Sequence, residues 1–265
     1  MKNKKLFIEL ARTAVAAGDA IMEIYSGEFN VELKDDNSPL TAADKASHNI
    51  IADALSDVLY MNESLPLLSE EGDMPAYELR QNWNRFWLID PLDGTKEFIS
   101  RNGEFTVNIA LIETGHPKLG IVYLPVKRLL YFGGAGYGTF RTAADDVVLE
   151  NVLKLPVETG RDRTILTAAG SRSHRSSDFD GWVEAEAARR GCSSIKIITA
   201  GSSLKFCLAA EGLVDVYPRF GPTMEWDTAA AHAVVEGAGK QCCCADGSRM
   251  LYNKPDMRNG HFIVK

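Results

Sequence analysis

The stretch between residues 67 and 140 consists of short apolar runs separated by turn-forming residues. The runs occupy residues 67–68, 86–89, 105–112, 119–123 and 129–132. Apolar runs of this length, rich in β-branched and aromatic side chains, are typical of strands buried in a sheet. We therefore predict that all five runs are strands of one sheet.

Two amphipathic segments precede the predicted sheet. Residues 4–25 carry Leu6, Leu10 and Ala14 on one helical face, and residues 43–59 repeat such a pattern. Apolar residues at this spacing indicate helices that bury one face. Both segments are therefore predicted to be helices packed on a core.

The second half of the chain alternates between strand and helix patterns. Extended segments are predicted at residues 164–167, 195–198 and 213–217, and helices at residues 177–190, 202–211 and 227–237. A polar stretch at residues 155–163 is the best candidate for a boundary. We predict an α/β protein with lobes at residues 1–155 and 156–265, packed as one catalytic unit with its function in the groove between them.

Charge limits the classes of partner. The chain has 29 basic and 36 acidic residues and a net charge of -7, which argues against general binding to nucleic acid or anionic lipid. No apolar run approaches the roughly 20 residues that a transmembrane helix requires. We expect a cytoplasmic protein, and lysines at three of the first five positions make only a weak case for peripheral contact with the inner face of the cell membrane.

Cysteine usage agrees with a reducing compartment. Three of the five cysteines are consecutive, at 242–244, and no CxxC spacing accompanies them. This pattern disfavours a structural zinc site and indicates reduced thiols. Cys207 lies among apolar residues and is predicted to be part of the core.

Residues 90–94 read Asp-Pro-Leu-Asp-Gly and follow the predicted strand at 85–89. Pro91 and Gly94 favour a sharp turn, which directs Asp90, Asp93 and the Leu92 carbonyl toward one point. Such a turn at the end of a buried strand indicates a metal site. The alternative is a turn whose aspartates only cap the helix predicted to start near Thr95.

Further acids stand at the ends of predicted elements. Glu70 and Glu71 follow residues 67–68, Asp227 is placed at the N-cap of a helix, and Asp44 forms a predicted capping box with Thr41. Carboxylates brought close together repel one another unless a cation neutralises them, and hard oxygen ligands suit Mg²⁺. Ordinary capping for Asp44 and Asp227, and a solvated turn for Glu71, remain the alternatives.

The order of these motifs resembles that of a known family. Three segments carry the resemblance: residues 90–98 (DPLDGTKEF), 201–211 (GSSLKFCLAAE) and 217–227 (YPRFGPTMEWD). They are similar to the lithium-sensitive, Mg²⁺-dependent phosphatases that include inositol monophosphatase, and within them to the bacterial CysQ branch of 3′(2′),5′-bisphosphate nucleotidases. Lys240 and the cysteine run depart from that pattern.

The resemblance implies a fold and a reaction. The fold is an alternating α/β/α/β/α sandwich of the sugar-phosphatase type. The reaction is hydrolysis of 3′-phosphoadenosine 5′-phosphate to AMP and phosphate, with its sulfated analogue as a second candidate substrate and a link to sulfur assimilation. Two or three Mg²⁺ ions and inhibition by Li⁺ are also implied, in a monomer or homodimer.

The resemblance also implies roles for individual residues. Glu70, Asp90 and the Leu92 carbonyl would hold one Mg²⁺, and Asp90, Asp93 and Asp227 a second. Glu70 and Thr95 would orient the attacking water, and Asp44 would accept a hydrogen bond from Thr95. The motif offers acids and a threonine but no activated cysteine or serine–histidine pair, which favours direct displacement on phosphorus.

Substrate contacts are implied on both sides of the groove. They are Leu92, Asp93, Gly94, Thr95, His174, Ser202, Lys205, Arg219 and Asp227, with Lys205 and Arg219 meeting the 5′-phosphate and His174 the adenosine. Without the resemblance, Lys205 reads as a helix-surface residue and Arg219 as a strand-end charge.

Two other functions remain open. Inositol monophosphatase activity is the alternative within the enzyme class, although Lys96-Glu97 in place of a Thr-Asn pair favours the nucleotidase. A non-catalytic metal-binding or nucleotide-binding regulator is the alternative from another class, and the intact acids argue against it.

Overall fold

A computed structural model describes residues 3–33, 39–171 and 176–265 of the chain. Its helices are α1 (Lys4–Ser26), α2 (Ala42–Asp57), α3 (Tyr77–Arg80), α4 (Thr95–Ile99), α5 (Ser177–Arg190), α6 (Leu204–Glu211) and α7 (Glu225–Gly237). Its strands in the first half are β1 (Val31–Leu33), β2 (Pro39–Thr41), β3 (Leu67–Ser69), β4 (Arg85–Asp93), β5 (Thr106–Glu113), β6 (His116–Leu124), β7 (Leu129–Gly134), β8 (Gly138–Ala143) and β9 (Leu153–Leu155). The second half adds β10 (Ile165–Ser171), β11 (Ser194–Ala200), β12 (Tyr217–Arg219), β13 (Thr223–Met224), β14 (Cys242–Cys244), β15 (Arg258–Asn259) and β16 (Phe262–Val264).

One large sheet organises the first half. Its strand order is β3-β4-β5-β6-β7-β8-β9, with β3 parallel to β4 and the other pairs antiparallel. All five predicted strands belong to it, which confirms that prediction. The sequence pattern did not define β8 and β9 as strands.

Helices α1 and α2 cover one face of this sheet. Phe7 and Leu10 of α1 and Ile51 of α2 share a buried cluster with Trp87 and Ile109 of the strands. Leu10 lies on the face predicted for the first helix, and both predicted helices are confirmed. Burial of large side chains of this kind contributes roughly 1.5–3 kcal/mol each.

Helices α6 and α7 cover the opposite face. A Cβ on Gly120 of β6 would lie 2.1 Å from the carbonyl oxygen of Ala230 in α7, so helix and strand meet backbone to backbone. Beyond these helices lie the parallel pair β10–β11 and the sheet β12-β16-β14, and then α5. The layers therefore alternate as α/β/α/β/α, as predicted.

Several element boundaries differ from those predicted: α6 begins at Leu204 instead of residue 202, and β10 continues to Ser171 instead of ending at residue 167. The strand predicted at 213–217 begins only at Tyr217. Before it, Val216 forms an isolated bridge with Ala168 of β10, and the amide of Asp215 donates a 2.7 Å hydrogen bond to the Thr167 carbonyl. The helix predicted from Asp227 begins two residues earlier, at Glu225.

Three further predictions concern the cysteines, the lobe boundary and membrane-spanning helices. Cys207 is fully buried, and all five cysteines are free thiols. The division into two lobes after residue 155 stays a prediction. None of the helices in the described ranges is long and apolar enough to cross a membrane.

Candidate active site

The first four residues of the Asp-Pro-Leu-Asp-Gly segment lie within a strand. Strand β4 continues through Asp93, and its ladder with β5 is interrupted between Asp90 and Asp93. Pro91 has no N–H to donate there, while its carbonyl accepts a 2.7 Å hydrogen bond from Ser47. The prediction that Asp90 leaves the sheet in a sharp turn is therefore wrong, because an irregularity inside the strand redirects its side chains.

Gly94 ends the segment in the left-handed region, with φ of 96°, and α4 begins at Thr95. A non-glycine residue would be strained at this angle. The helix start predicted near Thr95 is confirmed.

Asp44 links helix α2 to Thr95. Its carboxylate accepts hydrogen bonds from the amide and the hydroxyl of Thr41, each at 2.7 Å, which confirms the predicted capping box. It also accepts a 3.2 Å hydrogen bond from the Thr95 hydroxyl. Burial raises the pKa of Asp44. One carboxylate thus caps a helix and positions a hydroxyl 51 residues away.

Asp90 lies at the centre of the acidic residues. Its side chain is 1% exposed, and burial raises its pKa well above the usual range. Glu70, Asp93, Asp227 and Asp44 raise it further through like-charge repulsion. The fold therefore brings together five of the six acids that the sequence singled out.

Glu70 reaches this region from the neighbouring strand. Its amide donates a 3.3 Å hydrogen bond to the carbonyl of Ile89, the residue before Asp90. Strands β3 and β4 are parallel, so both acids lie at the same edge of the sheet.

Asp227 stands at the third position of α7, not at its N-cap. The N-cap is Met224, whose amide donates a 2.9 Å hydrogen bond to the Asp227 carboxylate. The predicted N-cap position is therefore wrong, and the physical reason is that an acid at the third position can satisfy the N-cap amide. Burial raises the pKa of Asp227, and Asp93 raises it further.

Asp93 is held by Ser202, which the sequence analysis named only as a substrate contact, and by Thr106 and Asn108, which it missed. Ser202 donates a 2.6 Å hydrogen bond to Asp93, and Ser202 in turn lies 2.6 Å from the hydroxyl of Thr106. Thr106 and Asn108 are buried on β5 and lie one strand pleat apart. Two polar residues on one face of an otherwise apolar run were a signal for this role.

The acids fit a site for divalent cations. Their ligand atoms are hard carboxylate oxygens. Burial and then the neighbouring carboxylates raise the pKa of Asp90, so a cation bound among the acids would relieve the repulsion. Within residues 3–33, 39–171 and 176–265, no three His, Cys, Asp or Glu side chains already form a metal-binding group. Binding of an ion would therefore draw the acidic side chains closer together than they lie here, while a carboxylate oxygen of Asp93 and of Asp227 can keep its hydrogen bond.

A cavity of about 150 Å³ lies beside the acids. Asp93, Gly94 and Asp227 line one part of it, and Ser202, Lys205 and Arg219 line another. Six of the predicted substrate contacts therefore share one cavity. His174, predicted to contact the adenosine, lies outside the described residues.

Lys205 is buried, so its interpretation as a helix-surface residue is wrong. It is 5% exposed, and its ammonium donates hydrogen bonds to the carbonyls of Ala200 at 3.1 Å and Ser202 at 2.6 Å. Burial lowers its pKa to about 8, while Asp93 acts in the opposite direction. Lys205 therefore holds the loop that carries Ser202.

Arg219 retains donors that its neighbours leave unused. One terminal nitrogen donates to the Pro222 carbonyl at 3.2 Å, and the buried Nε–H has no partner among the described residues. A guanidinium in this state can grip an oxyanion through two donors.

Residues 3–263 match the model of the inositol monophosphatase family. The chain belongs to this family. The resemblance seen in the sequence is thereby confirmed, and the layered fold of the inositol monophosphatase family accounts for the position of the site between layers.

Curated members of the inositol monophosphatase family include close relatives of the chain. It is 45% identical to the 3′(2′),5′-bisphosphate nucleotidase CysQ of Salmonella typhimurium over 233 residues, which cover 87% of each sequence. It is 46% identical to the CysQ of Escherichia coli strain K12, with the same coverage.

Solved structures agree on the fold. The crystal structure of CysQ from Bacteroides thetaiotaomicron, a bacterial member of the inositol monophosphatase family, superposes with a TM-score of 0.85 at 39% identity, covering 100% of this chain and 98% of that one. The SuhB protein of Bartonella henselae, at 22% identity and a TM-score of 0.72 over 97% of this chain and 92% of that chain, shares the fold.

Proposed function

We propose that the protein is a 3′(2′),5′-bisphosphate nucleotidase, a phosphoric monoester hydrolase that converts 3′-phosphoadenosine 5′-phosphate to AMP and phosphate. Its identity to CysQ nucleotidases over 87% of the chain supports this activity over that of an inositol monophosphatase. The sulfated analogue of the same nucleotide is a second substrate in this proposal.

The proposal rests on one cavity that is lined by both acidic and basic side chains. Asp93 and Asp227 line it together with Lys205 and Arg219. A substrate with two phosphates needs both kinds of residue: carboxylates that hold cations at the phosphate to be cleaved, and a cationic contact at the phosphate to be kept. Inositol monophosphate has no second phosphate for Arg219 to bind.

The proposal assigns Mg²⁺ to the acidic part of the site. Glu70, Asp90 and the Leu92 carbonyl would hold one ion, and Asp90, Asp93 and Asp227 another. Bound Mg²⁺ supplies charge neutralisation for a phosphoryl group and makes water easier to deprotonate. Two or three Mg²⁺ ions and inhibition by Li⁺ belong to the same proposal.

Thr95 and Glu70 orient the attacking water. A hydroxyl has one hydrogen to donate and two lone pairs. When Thr95 donates to Asp44, at 3.2 Å, its lone pairs are left to accept a hydrogen bond from water. Asp44 therefore fixes which way the Thr95 hydroxyl points, and the amides of Gly94 and Thr95 meet the phosphate.

Arg219 and Lys205 select the nucleotide. Arg219 meets the 5′-phosphate with its unused donors, while Lys205 keeps Ser202 in place and adds positive charge beside the cavity. His174 completes the adenosine contact in this proposal. The partner is a small molecule, and the protein acts in the cytoplasm as a monomer or homodimer; contact with the membrane surface stays a prediction.

The decisive experiment compares two substrates. Phosphate release is measured from 3′-phosphoadenosine 5′-phosphate and from inositol 1-phosphate, each with Mg²⁺, without it, and with added Li⁺. We expect a large preference for the nucleotide, dependence on Mg²⁺ and inhibition by Li⁺. A large preference for inositol 1-phosphate would overturn the nucleotidase assignment, and no release from either substrate would favour the regulator.

A further inference from the structure

A second cavity lies away from the candidate active site. It has a volume of about 450 Å³ and shares no lining residue with the first cavity. Its wall is formed by the connection between β9 and β10, with Gly212 at the end of α6 and Lys240 beyond the end of α7.

Three cationic side chains line this cavity: Arg161, Arg163 and Lys240. The two acids in the wall are Asp215 and Glu158, and Glu158 is exposed. Asp162, between the two arginines, is not in the wall and accepts hydrogen bonds from the amide and hydroxyl of Thr164, each at 2.8 Å.

Asp215 is already committed to other partners. Arg161 holds both of its oxygens, one of them at 3.1 Å, and the amide of Thr167 donates to it at 2.8 Å. Arg163 approaches it only to 3.8 Å, and the Arg163 side chain is 83% exposed. The Asp215 carboxylate therefore neutralises Arg161, whereas the positive charges of Arg163 and Lys240 are left with little compensation.

Donors in the cavity are left unused. The Nε–H of Arg161 is buried and has no partner among the described residues. The Lys240 ammonium makes no hydrogen bond or ion pair to any described residue, and burial lowers its pKa, as do the nearby charges of Arg161, Arg190 and Arg163 against the opposing effect of Asp215. Unpaired cations of this kind gain stability when an anion binds between them.

We propose that the cavity lined by Arg161, Arg163 and Lys240 is a second binding site, specific for tetrahedral oxyanions of the phosphate type. Arg163 and Lys240 contact the anion directly, and Arg161 contributes positive charge while it stays paired with Asp215. The anion is either free phosphate or the phosphate group of a nucleotide such as AMP.

The test follows backbone amide signals of the full-length protein by nuclear magnetic resonance. In one series inorganic phosphate replaces chloride at constant ionic strength. In a second series AMP is added. We expect saturable shifts at Gly160 and Gly212. Tighter binding of AMP than of phosphate at these amides identifies a nucleotide site, and equal or weaker binding identifies a site for free phosphate.

Variants separate this site from the first. Arg163→Gln combined with Lys240→Gln is expected to weaken phosphate binding at Gly160 and Gly212 by at least about tenfold, since two charge-assisted contacts are lost. The exposed Lys196 provides the matched control, as Lys196→Gln. The amide of Gly94 reports binding at the active site in the same spectra.

Two results would overturn the proposal. One is the absence of saturable shifts at Gly160 and Gly212, and the other is unchanged affinity there in the double variant. Neither result bears on the nucleotidase assignment, because that assignment concerns the cavity at Gly94.

Discussion

The hydroxyl of Thr95 donates a hydrogen bond to Asp44, and the same carboxylate closes the capping box of α2. Removing the hydroxyl should therefore impair catalysis more than folding. Thr95→Ala is expected to lower kcat about 10²-fold, the lower end of the usual range for a group that takes part in proton transfer, while Thr95→Ser restores most of it. Steady-state kinetics test this, and a kcat for Thr95→Ala within about threefold of the parent would contradict the assigned role.

Asp90 stands among like charges. Asp90→Asn removes one carboxylate from the cluster and retains a side-chain oxygen for the Leu92 amide, which now donates to it at 3.1 Å. We expect turnover to fall by at least about 10³-fold while the fold persists.

Thermal unfolding tests the metal assignment apart from activity. Mg²⁺ should raise the Tm of the parent, because a ligand that binds only the folded state stabilises it, and should not raise that of Asp90→Asn. The exposed Asp57, changed to Asn, serves as the control and should keep the Mg²⁺ effect. An equal rise in both variants would rule out Asp90 as a ligand.

Arg219 should distinguish substrates with and without a 5′-phosphate. We expect Arg219→Gln to lower kcat/KM for 3′-phosphoadenosine 5′-phosphate by about tenfold to a hundredfold, the cost of a lost charge-assisted contact, and to leave that for adenosine 3′-phosphate nearly unchanged. The control is Arg258→Gln, at a side chain that is 69% exposed. Equal losses on both substrates would show that Arg219 acts elsewhere.

Glu186 makes stability depend on pH. Hydrogen bonds from Arg189 and Arg190 lower its pKa to about 2, with Arg189 contributing most. A carboxyl whose pKa is lowered by folding stabilises the protein above its unfolded pKa of about 4.3, and this contribution is lost as the pH falls toward 2.

Urea unfolding of Glu186→Gln measures this contribution. Near pH 7 the variant should be less stable by about 1–2 kcal/mol, since both arginines are partly exposed and solvent screens the pairs. The difference should shrink as the pH is lowered to about 3. A difference that stays constant with pH would show that packing, not charge, is responsible.

Gly120 and Gly181 form a matched pair. Gly120→Ala would place a Cβ 2.1 Å from the Ala230 carbonyl, so it should cost several kcal/mol. Gly181 lies inside α5, where an added Cβ would meet nothing within 4 Å, so Gly181→Ala should stabilise the protein by about 0.5–1 kcal/mol. The free energies of unfolding are compared, and destabilisation by both changes would contradict this interpretation.

Local signals were sufficient for much of the fold. Helix α5 begins and ends where the sequence indicated, because Ser176 caps its start and Gly191 ends it in the left-handed region. The capping box of Thr41 and Asp44 could likewise be predicted, since both partners lie within one turn. In each case the deciding contacts span only a few residues.

Long-range contacts explain what the sequence did not reveal. Lys205 is buried because the loop at Ala200 and Ser202 folds over its ammonium, an arrangement with no signature in the helix pattern. Thr106 reaches Ser202 across 96 positions. The acids were recognised as a set from their order, but their partners depend on how the layers meet.

The carboxylates of the candidate active site come from two different layers of the fold. Asp90 and Asp93 belong to the large sheet, whereas Asp227 belongs to the helix that rests on it at Gly120 and Ala230. Because the two main chains are in contact there, no side chain lies between the helix and the sheet at this point. Main-chain contact therefore sets the separation of the two layers at this point, and with it the spacing between the sheet-borne and the helix-borne parts of the acid set.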